Sequence, residues 1–264
     1  MFARYEHLRR TDRGAVATVT LARPGAHNAL NAALIEELTR CFEELADEER
    51  VRVVVLEGEG RSFCAGADIG YMRESAGFSY EDNLEDARRM ATMFWVLDQC
   101  PKPVVAKVIG AAIGGGAGLV AVADVVVAQE DTQFTFSEVR LGIAPATIAP
   151  FVVRKVGFSH AQSLFLTGER FGARRAWEIG LVHEEAPEAD VDAAVEKKVE
   201  ALLHGGPTAQ ATIKGLLRRL ETTEPMEQPG LTARVISELR TGEEGQEGLA
   251  AFLEKRDPRW RRDR

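Results

Sequence analysis

The amino-acid sequence predicts a mixed α/β fold in which strands and helices alternate over the first half and helices dominate the second. Three observations carry this. Apolar, β-branched runs, Val51 to Leu56 and Val104 to Ile109, are separated by segments whose apolar residues recur at helical spacing. Glycine-bearing turns follow both runs, at Glu57-Gly58-Glu59-Gly60 and at Gly110 to Gly116. Beyond Pro145 the apolar spacing is almost wholly helical.

Taken in order, Val16 to Leu21 alternates as a strand does, and Asn31 to Ala46 places Leu34, Ile35, Leu38, Phe42 and Leu45 on one helical face. Val51 to Leu56 predicts a buried strand. Ser75 to Tyr80 is expected to be a mobile loop, followed by a helix from Glu81 to Gln99 that Pro101-Lys102-Pro103 stops. Val104 to Ile109 is a second buried strand, and a short helix through Ala123 follows the glycines. Strands are expected at Asp124 to Ala128 and Phe134 to Phe136. Helices are expected over 149–157, 160–166, 173–180, 189–204, 207–221, 230–240 and 244–255. The break at Gly205-Gly206-Pro207 divides an α/β core, 1–204, from a helical segment, 205–264. Spacing between strands is too irregular to define sequence repeats.

Bulk properties narrow the function classes. A chain of 264 residues has room for one large domain with an appended segment. Its net charge of −8 argues against general nucleic-acid binding, which needs a basic face. An anionic ligand must therefore be held locally, by backbone donors or a few basic residues. No apolar run is long enough to cross a bilayer, and Met1 to His7 lacks the apolar core of a signal peptide. Cys41, Cys64 and Cys100 are odd in number and lack metal-ligand spacing, which favours reduced thiols and a cytoplasmic setting. No His/Cys/Asp/Glu cluster has metal spacing, so no metal is expected.

Two turns and one acid carry chemistry. In Ile113-Gly114-Gly115-Gly116-Ala117-Gly118-Leu119 a strand enters and a helix leaves, so free N–H groups meet residues small enough for close approach. A P-loop is excluded because no Gly-Lys-Ser/Thr follows. A dinucleotide fingerprint fits poorly because Leu119 stands where a third glycine is needed. The remaining readings are a phosphate site or an oxyanion hole, and an oxyanion hole needs a second donor. Ala65-Gly66-Ala67-Asp68 supplies one, with Asp68 placed to cap a following helix. Each turn taken singly reads first as a packing turn. Glu138 follows a short strand; it is either a solvated or capping acid or an acid facing an apolar pocket, where burial raises its pKa toward useful proton transfer.

Together these residues resemble the enoyl-CoA hydratase/isomerase (crotonase) family along nearly the whole chain. Arg23-Pro24 with Asn28-Ala29-Leu30 resembles its first CoA-binding segment, Phe63 to Asp68 its first oxyanion turn, and Pro101 to Val104 with Gly110 to Gly116 its second. Leu166-Thr167-Gly168, Ala176 with Gly180-Leu181-Val182, and Gly245 to Arg256 resemble later landmarks. The resemblance implies a crotonase-like (ClpP/crotonase) fold of repeated ββα units in a spiral core, with a C-terminal helical trimerisation segment. It implies an acyl-CoA thioester as substrate, no cofactor beyond that coenzyme A, and homotrimers or homohexamers. It implies that the N–H groups of Ala67 and Gly115 grip the thioester oxygen and that Glu138 transfers protons. Ala26, His27, Ala29, Ala65, Asp68, Ile69 and Gly114 would lie along the substrate. Phe252 and Lys255 resemble tail residues that reach the nucleotide end of CoA in a neighbouring subunit; Lys255 is equally a solvated tail charge.

One departure matters. Hydratases of the family generally use two glutamates, and Gly118 stands where the first is expected. Glycine within a helix costs about 1 kcal/mol relative to alanine. The expectation is that Ala117 and Gly118 leave room for a branched or bulky acyl group, the alternative being close helix packing. The turn Ser137 to Ala146 resembles members described as methylglutaconyl-CoA-type hydratases. A hydratase is therefore the favoured reading, with a one-glutamate double-bond isomerase and a non-catalytic acyl-CoA binder as alternatives. Cys64 reads as a small buried residue rather than a nucleophile, and His183 as structural. Tyr71, Met72 and Tyr80 either line the acyl pocket or simply pack.

Overall fold

The structure is a computed structural model that describes residues 5–262. Residues 1–4, part of the stretch read for a signal peptide, lie outside the described residues. The chain opens with a hairpin of β1 (Leu8–Arg13) and β2 (Val16–Leu21), followed by α1 (Ala32–Asp47) and β3 (Val53–Gly58). Next come α2 (Ile69–Ser75), α3 (Tyr80–Gln99), β4 (Val104–Val108), β5 (Ala111–Ile113) and α4 (Gly115–Val122). Then β6 (Val125–Gln129), β7 (Gln133–Thr135), α5 (Ala149–Val156), α6 (Phe158–Thr167), β8 (Arg170–Gly172), α7 (Ala173–Glu178) and β9 (Glu184–Ala186) complete the sheets. Helices α8 (Val191–His204), α9 (Pro207–Thr222), α10 (Gln228–Thr241), α11 (Glu243–Leu253) and α12 (Arg259–Arg262) close the chain.

The main sheet has the order β1-β2-β3-β4-β6-β9, parallel from β2 onward. Its central strands read as unbroken apolar runs because both faces are buried. Val54 and Leu56 face the cluster that contains α1, α3, α4 and α5, while Val53 and Val55 face α8 through Val191, Val195 and Val199. A second sheet, β5-β7-β8, runs alongside. Single-residue bridges extend it: Cys64 pairs with Ala112, and Leu30 with Ala67. Successive units thus each give one long strand to the main sheet and one short extended piece to the second. The connections leaving β3 and β4 gather at the carboxyl ends of those parallel strands, the usual location of ligand crevices in such sheets.

Several elements were not predicted from sequence. β1 is an edge strand whose charged outer face hides its alternation: Leu8 is buried, and Arg10 is held by Asp12 at 2.8 Å and by Glu48 at 2.6 Å. β5, β8 and β9 have three residues each, too short for a period to appear. The open loop expected over 75–80 is shorter. Helix α2 runs through Ser75, and Ser79 begins α3 with a capping box to Asp82.

Helices α9, α10 and α11 pack mainly on one another, and Lys214 ties α9 to Asp124 at 2.6 Å. A groove of about 610 Å³ between α9 and α10 is lined by Ile213, Leu216, Val235, Ile236 and Leu239. Among the described residues, no helix is long and apolar enough to cross a membrane.

Candidate active site

Three segments converge at the carboxyl ends of β3 and β4. The first is the turn 23–30. Its shape depends on two non-glycine residues in the left-handed region, His27 at φ 49° and Asn28 at φ 56°. Asn28 is fully buried and supplies the compensating bonds. Its Oδ1 accepts from the Arg23 N–H at 2.9 Å, and its Nδ2 donates to the carbonyls of Glu59 and Ser62 at 2.9 and 2.8 Å. The Arg23 guanidinium donates to Asp68 Oδ2 at 2.9 Å and to the Ala29 carbonyl. Asp68 Oδ1 caps α2 by accepting from Gly70 and Tyr71 N–H groups. These bonds lay the 27–30 strand beside 65–68: Ala65 N–H donates to the His27 carbonyl, Leu30 N–H to Gly66, and Asp68 N–H to Leu30.

That pairing fixes the direction of one further amide. Across a trans peptide the N–H points opposite to the preceding carbonyl. No peptide bond among the described residues is cis, and the Gly66 carbonyl is turned to Leu30, so the Ala67 N–H points away from that strand. The same argument applies at Gly115. The Gly114 carbonyl points into α4, accepting from Gly118 N–H at 3.0 Å, so the Gly115 N–H points back out of the helix start. Neither amide has a hydrogen-bond partner among the described residues.

The two turns touch. A Cβ on Gly66, which has φ +86°, would lie 2.8 Å from the Ile113 carbonyl, and one on Gly116 would lie 2.3 Å from the Cys64 carbonyl. Only glycine permits this approach of backbone to backbone. The amides at 67 and 115 therefore sit in neighbouring turns; Ala67 and Ile69 are exposed, Ala65 and Gly115 half-buried.

Glu138 completes the group. It begins a short 3-10 turn, Glu138–Leu141, after β7 and the buried Phe136. Its Oε1 lies 2.9 Å from where a Gly114 Cβ would stand, so the carboxyl rests on the residue just before the Gly115 amide. Its Oε2 is buried without a hydrogen-bond partner among the described residues. Burial pushes the carboxyl above its ordinary range, with a partial opposing effect from its own backbone N–H. A half-buried carboxyl with one oxygen unpartnered, beside two unpartnered amides, can take or give a proton at an atom whose neighbour gains charge.

The structure corrects the expectation for Gly118. Ala117 and Gly118 are buried, and a Cβ on Gly118 would meet Ile148 Cγ2 at 2.3 Å and the Phe94 ring at 3.0 Å. No space for an acyl branch exists there; the packing alternative is the one realised. Sequence reasoning missed both Ile148 and Phe94. Phe94 was visible only as one of several apolar residues on a helix, and nothing around Ile148 marked its partner.

Other expected residues fall as follows. Ala26 is half-buried, His27 reaches Ser62 Oγ at 3.2 Å through Nδ1, and Ala29 is buried behind the turn. Phe252 is 81% exposed and Lys255 is exposed as well. Phe252 lies in α11 and Lys255 just beyond it; Gly248 of that helix sits against Trp260, whose carbonyl accepts from Arg52 at the far end of β3. Cys64 is fully buried and its thiol is pushed up to about 12, which suits packing and not nucleophilic attack. His183 accepts from the Val126 N–H through Nδ1 at 2.9 Å, and burial lowers it to about 4, a structural role. Tyr71 donates to Asp86 on α3. Another groove, of about 760 Å³ between α8 and the sheet, carries paired charges, Lys107 with Glu57 and Asp192, and none of its lining residues belongs to the turns.

The family model for enoyl-CoA hydratase/isomerase matches residues 11–263. The 2,3-dehydroadipyl-CoA hydratase of Escherichia coli is 36% identical over 248 residues, covering 92% of this chain and 94% of that protein. The crystal structure of an enoyl-CoA hydratase from Shewanella pealeana superposes with a TM-score of 0.93 at 39% identity, covering 97% of this chain and 96% of the other. Pseudomonas aeruginosa AtuE superposes with a TM-score of 0.93 at 38% identity, covering 97% and 100%. The fold is that of the crotonases. The chain belongs to the enoyl-CoA hydratase/isomerase family and is an enzyme of that family.

Proposed function

We propose that the protein adds water across the double bond of a 2-enoyl-CoA thioester. The observation that supports this reading is that two amides without partners, Ala67 and Gly115, lie in touching turns, with the desolvated carboxyl of Glu138, one oxygen unpartnered, resting over Gly114. The thioester oxygen accepts from both N–H groups. Glu138 takes a proton from water as the water oxygen bonds to C3 of the substrate. The displaced π electrons reach the thioester oxygen, and the resulting enolate is protonated at C2. Each such donor typically contributes about 2.7–4 kcal/mol to the transition state, because enolate charge gathers on the held oxygen. No carboxylate stands at Gly118, so the proton for C2 comes from Glu138 itself or from solvent. That single-carboxyl arrangement also supports a second reading, a double-bond isomerase in which Glu138 carries one proton between two carbons.

Ala26, His27, Ala29, Ala65, Asp68, Ile69 and Gly114 are proposed to line the bound CoA thioester. Phe252 and Lys255 are proposed to reach the nucleotide end of CoA bound to another copy. Exposed Ile213, Leu217, Met226 and Leu253 support segment 205–264 as the assembly surface of trimers or hexamers. A branched, methylglutaconyl-like acyl group rests on the resemblance of Ser137 to Ala146 alone. The test is incubation with crotonyl-CoA, 3-methylglutaconyl-CoA and a 3-enoyl-CoA, with products followed by mass spectrometry. Hydration adds the mass of water, whereas isomerisation moves the double bond at constant mass. Failure to form a water adduct from any 2-enoyl thioester overturns the hydratase reading.

A further inference from the structure

The carboxyl of Glu138 poses a question that its own bonds do not answer. Oε2 has no hydrogen-bond partner, and no ion pair involves Glu138 among the described residues. The side chain is therefore placed by the backbone that carries it. Upstream, that backbone is anchored by β7 and the fully buried Phe136. Downstream, the segment 139–147 is largely exposed, with Leu141 at 59% and Ile143 at 58%. Within it Pro145 is buried, and the first large aliphatic side chain to enter the core is Ile148, 1% exposed at the start of α5. It enters at one place: its Cγ2 occupies the position a Cβ would take on Gly118, with Phe94 closing the other side. The Phe94 ring also lies 3.9 Å from the Cβ position of Gly115, so the same wall backs the amide turn.

We propose that Ile148, seated against Gly118 and Phe94, is a positioning residue that pins the far end of the 138–148 segment and so holds the Glu138 carboxyl over Gly114. Gly118 is then a socket for Ile148, and the absence of a carboxylate at position 118 and the isoleucine at 148 are one coupled feature. This rests on the reading of Glu138 as the proton-transfer group, but the placement itself can be measured apart from turnover.

The experiment is a double-mutant cycle of Gly118→Ala and Ile148→Ala, with Ile148→Val as the conservative variant. Gly118→Ala drives a methyl into Ile148, and Ile148→Ala withdraws the plug; either frees the segment. Each single change lowers kcat by about tenfold or more, since an ångström of misplacement can cost ~100-fold. KM stays within about twofold because the CoA-binding turn is untouched. Water reaching the carboxyl also moves its titration down toward the ordinary range, read as the carboxyl stretch in infrared difference spectra against Glu138→Gln. The double variant, which again fills the socket, recovers most of both readouts, and Ile148→Val stays near the parent. Circular dichroism establishes that each variant folds, and the contrast of Ile148→Ala with Ile148→Val carries the test if Gly118→Ala does not. Parental kcat and carboxyl titration in both single variants, or a double variant no better than the worse single, overturns the proposal. If the parent hydrates no thioester while the titration still moves and recovers as stated, the positioning role stands and the functional reading falls.

Discussion

Replacing Glu138 with glutamine separates catalysis from stability, and the two should move in opposite directions. The Glu138→Gln change keeps the shape of the side chain over Gly114 but leaves a group that neither takes nor gives a proton. Positioned acid–base groups contribute about 10²–10⁴-fold, so kcat for hydration falls by that order. KM changes little, because the amides and the CoA-binding turn are intact. Stability follows from the raised pKa of the carboxyl. The folded state holds the proton at pH values where the unfolded chain, titrating near 4.3, has released it. Stability associated with this group is therefore present below about pH 4.3 and lost as pH rises through the folded pKa. Above the folded pKa the parent carries a half-buried charge with one oxygen unpaired. An unsatisfied buried polar group costs about 1–3 kcal/mol; the glutamine variant still buries an amide, so the gain lies at or below the lower end of that range. A gain of about 1 kcal/mol raises Tm by about 2 °C for a chain of this size. The assays are loss of enoyl-thioester absorbance and calorimetric melting at pH 7.5 and 4. Glu138→Gln should be nearly inactive yet slightly more stable at pH 7.5, with the difference shrinking at pH 4. Retained kcat within about twofold refutes the catalytic part. A lower Tm at pH 7.5 refutes the account of the buried charge.

Two further outcomes follow from the geometry. Gly66→Ala places a Cβ 2.8 Å from the Ile113 carbonyl at a φ of +86°, so the turn must shift and carry the Ala67 amide off the thioester oxygen. We expect kcat to fall by about 10²–10³-fold, comparable to losing one oxyanion donor, with the fold retained by circular dichroism; parental kcat in a folded variant contradicts the role of that amide. Lys255→Ala should raise KM for a CoA thioester several-fold, as removal of a phosphate contact does, and leave KM for the matching pantetheine thioester unchanged; equal effects on both substrates show that Lys255 does not reach the nucleotide.

What the sequence revealed, and what it concealed, divides along the range of the interactions. The buried strands at Val53 and Val104, the capping role of Asp68 and the glycine turns were legible because each depends on local chemistry: unbroken apolar runs, a short polar side chain at a helix start, freedom at φ > 0. β1 was not, because Arg10 finds its partners in Asp12 and in Glu48 on the far side of α1, and a half-buried arginine looks like a solvated one until that partner is known. The same limit governs Gly118. Read alone, a glycine where relatives carry an acid looks like vacant space, and the inference to a roomier acyl pocket was natural. The volume is in fact taken by Ile148, far along the chain, in a segment whose neighbours are mostly exposed. A glycine in a helix says that something approaches closely; only the fold says whether that is substrate or side chain. At Gly114 the neighbour is the Glu138 carboxyl and at Gly118 it is the isoleucine at the other end of the same segment, so two glycines one helical turn apart fix both ends of the chain that carries the acid.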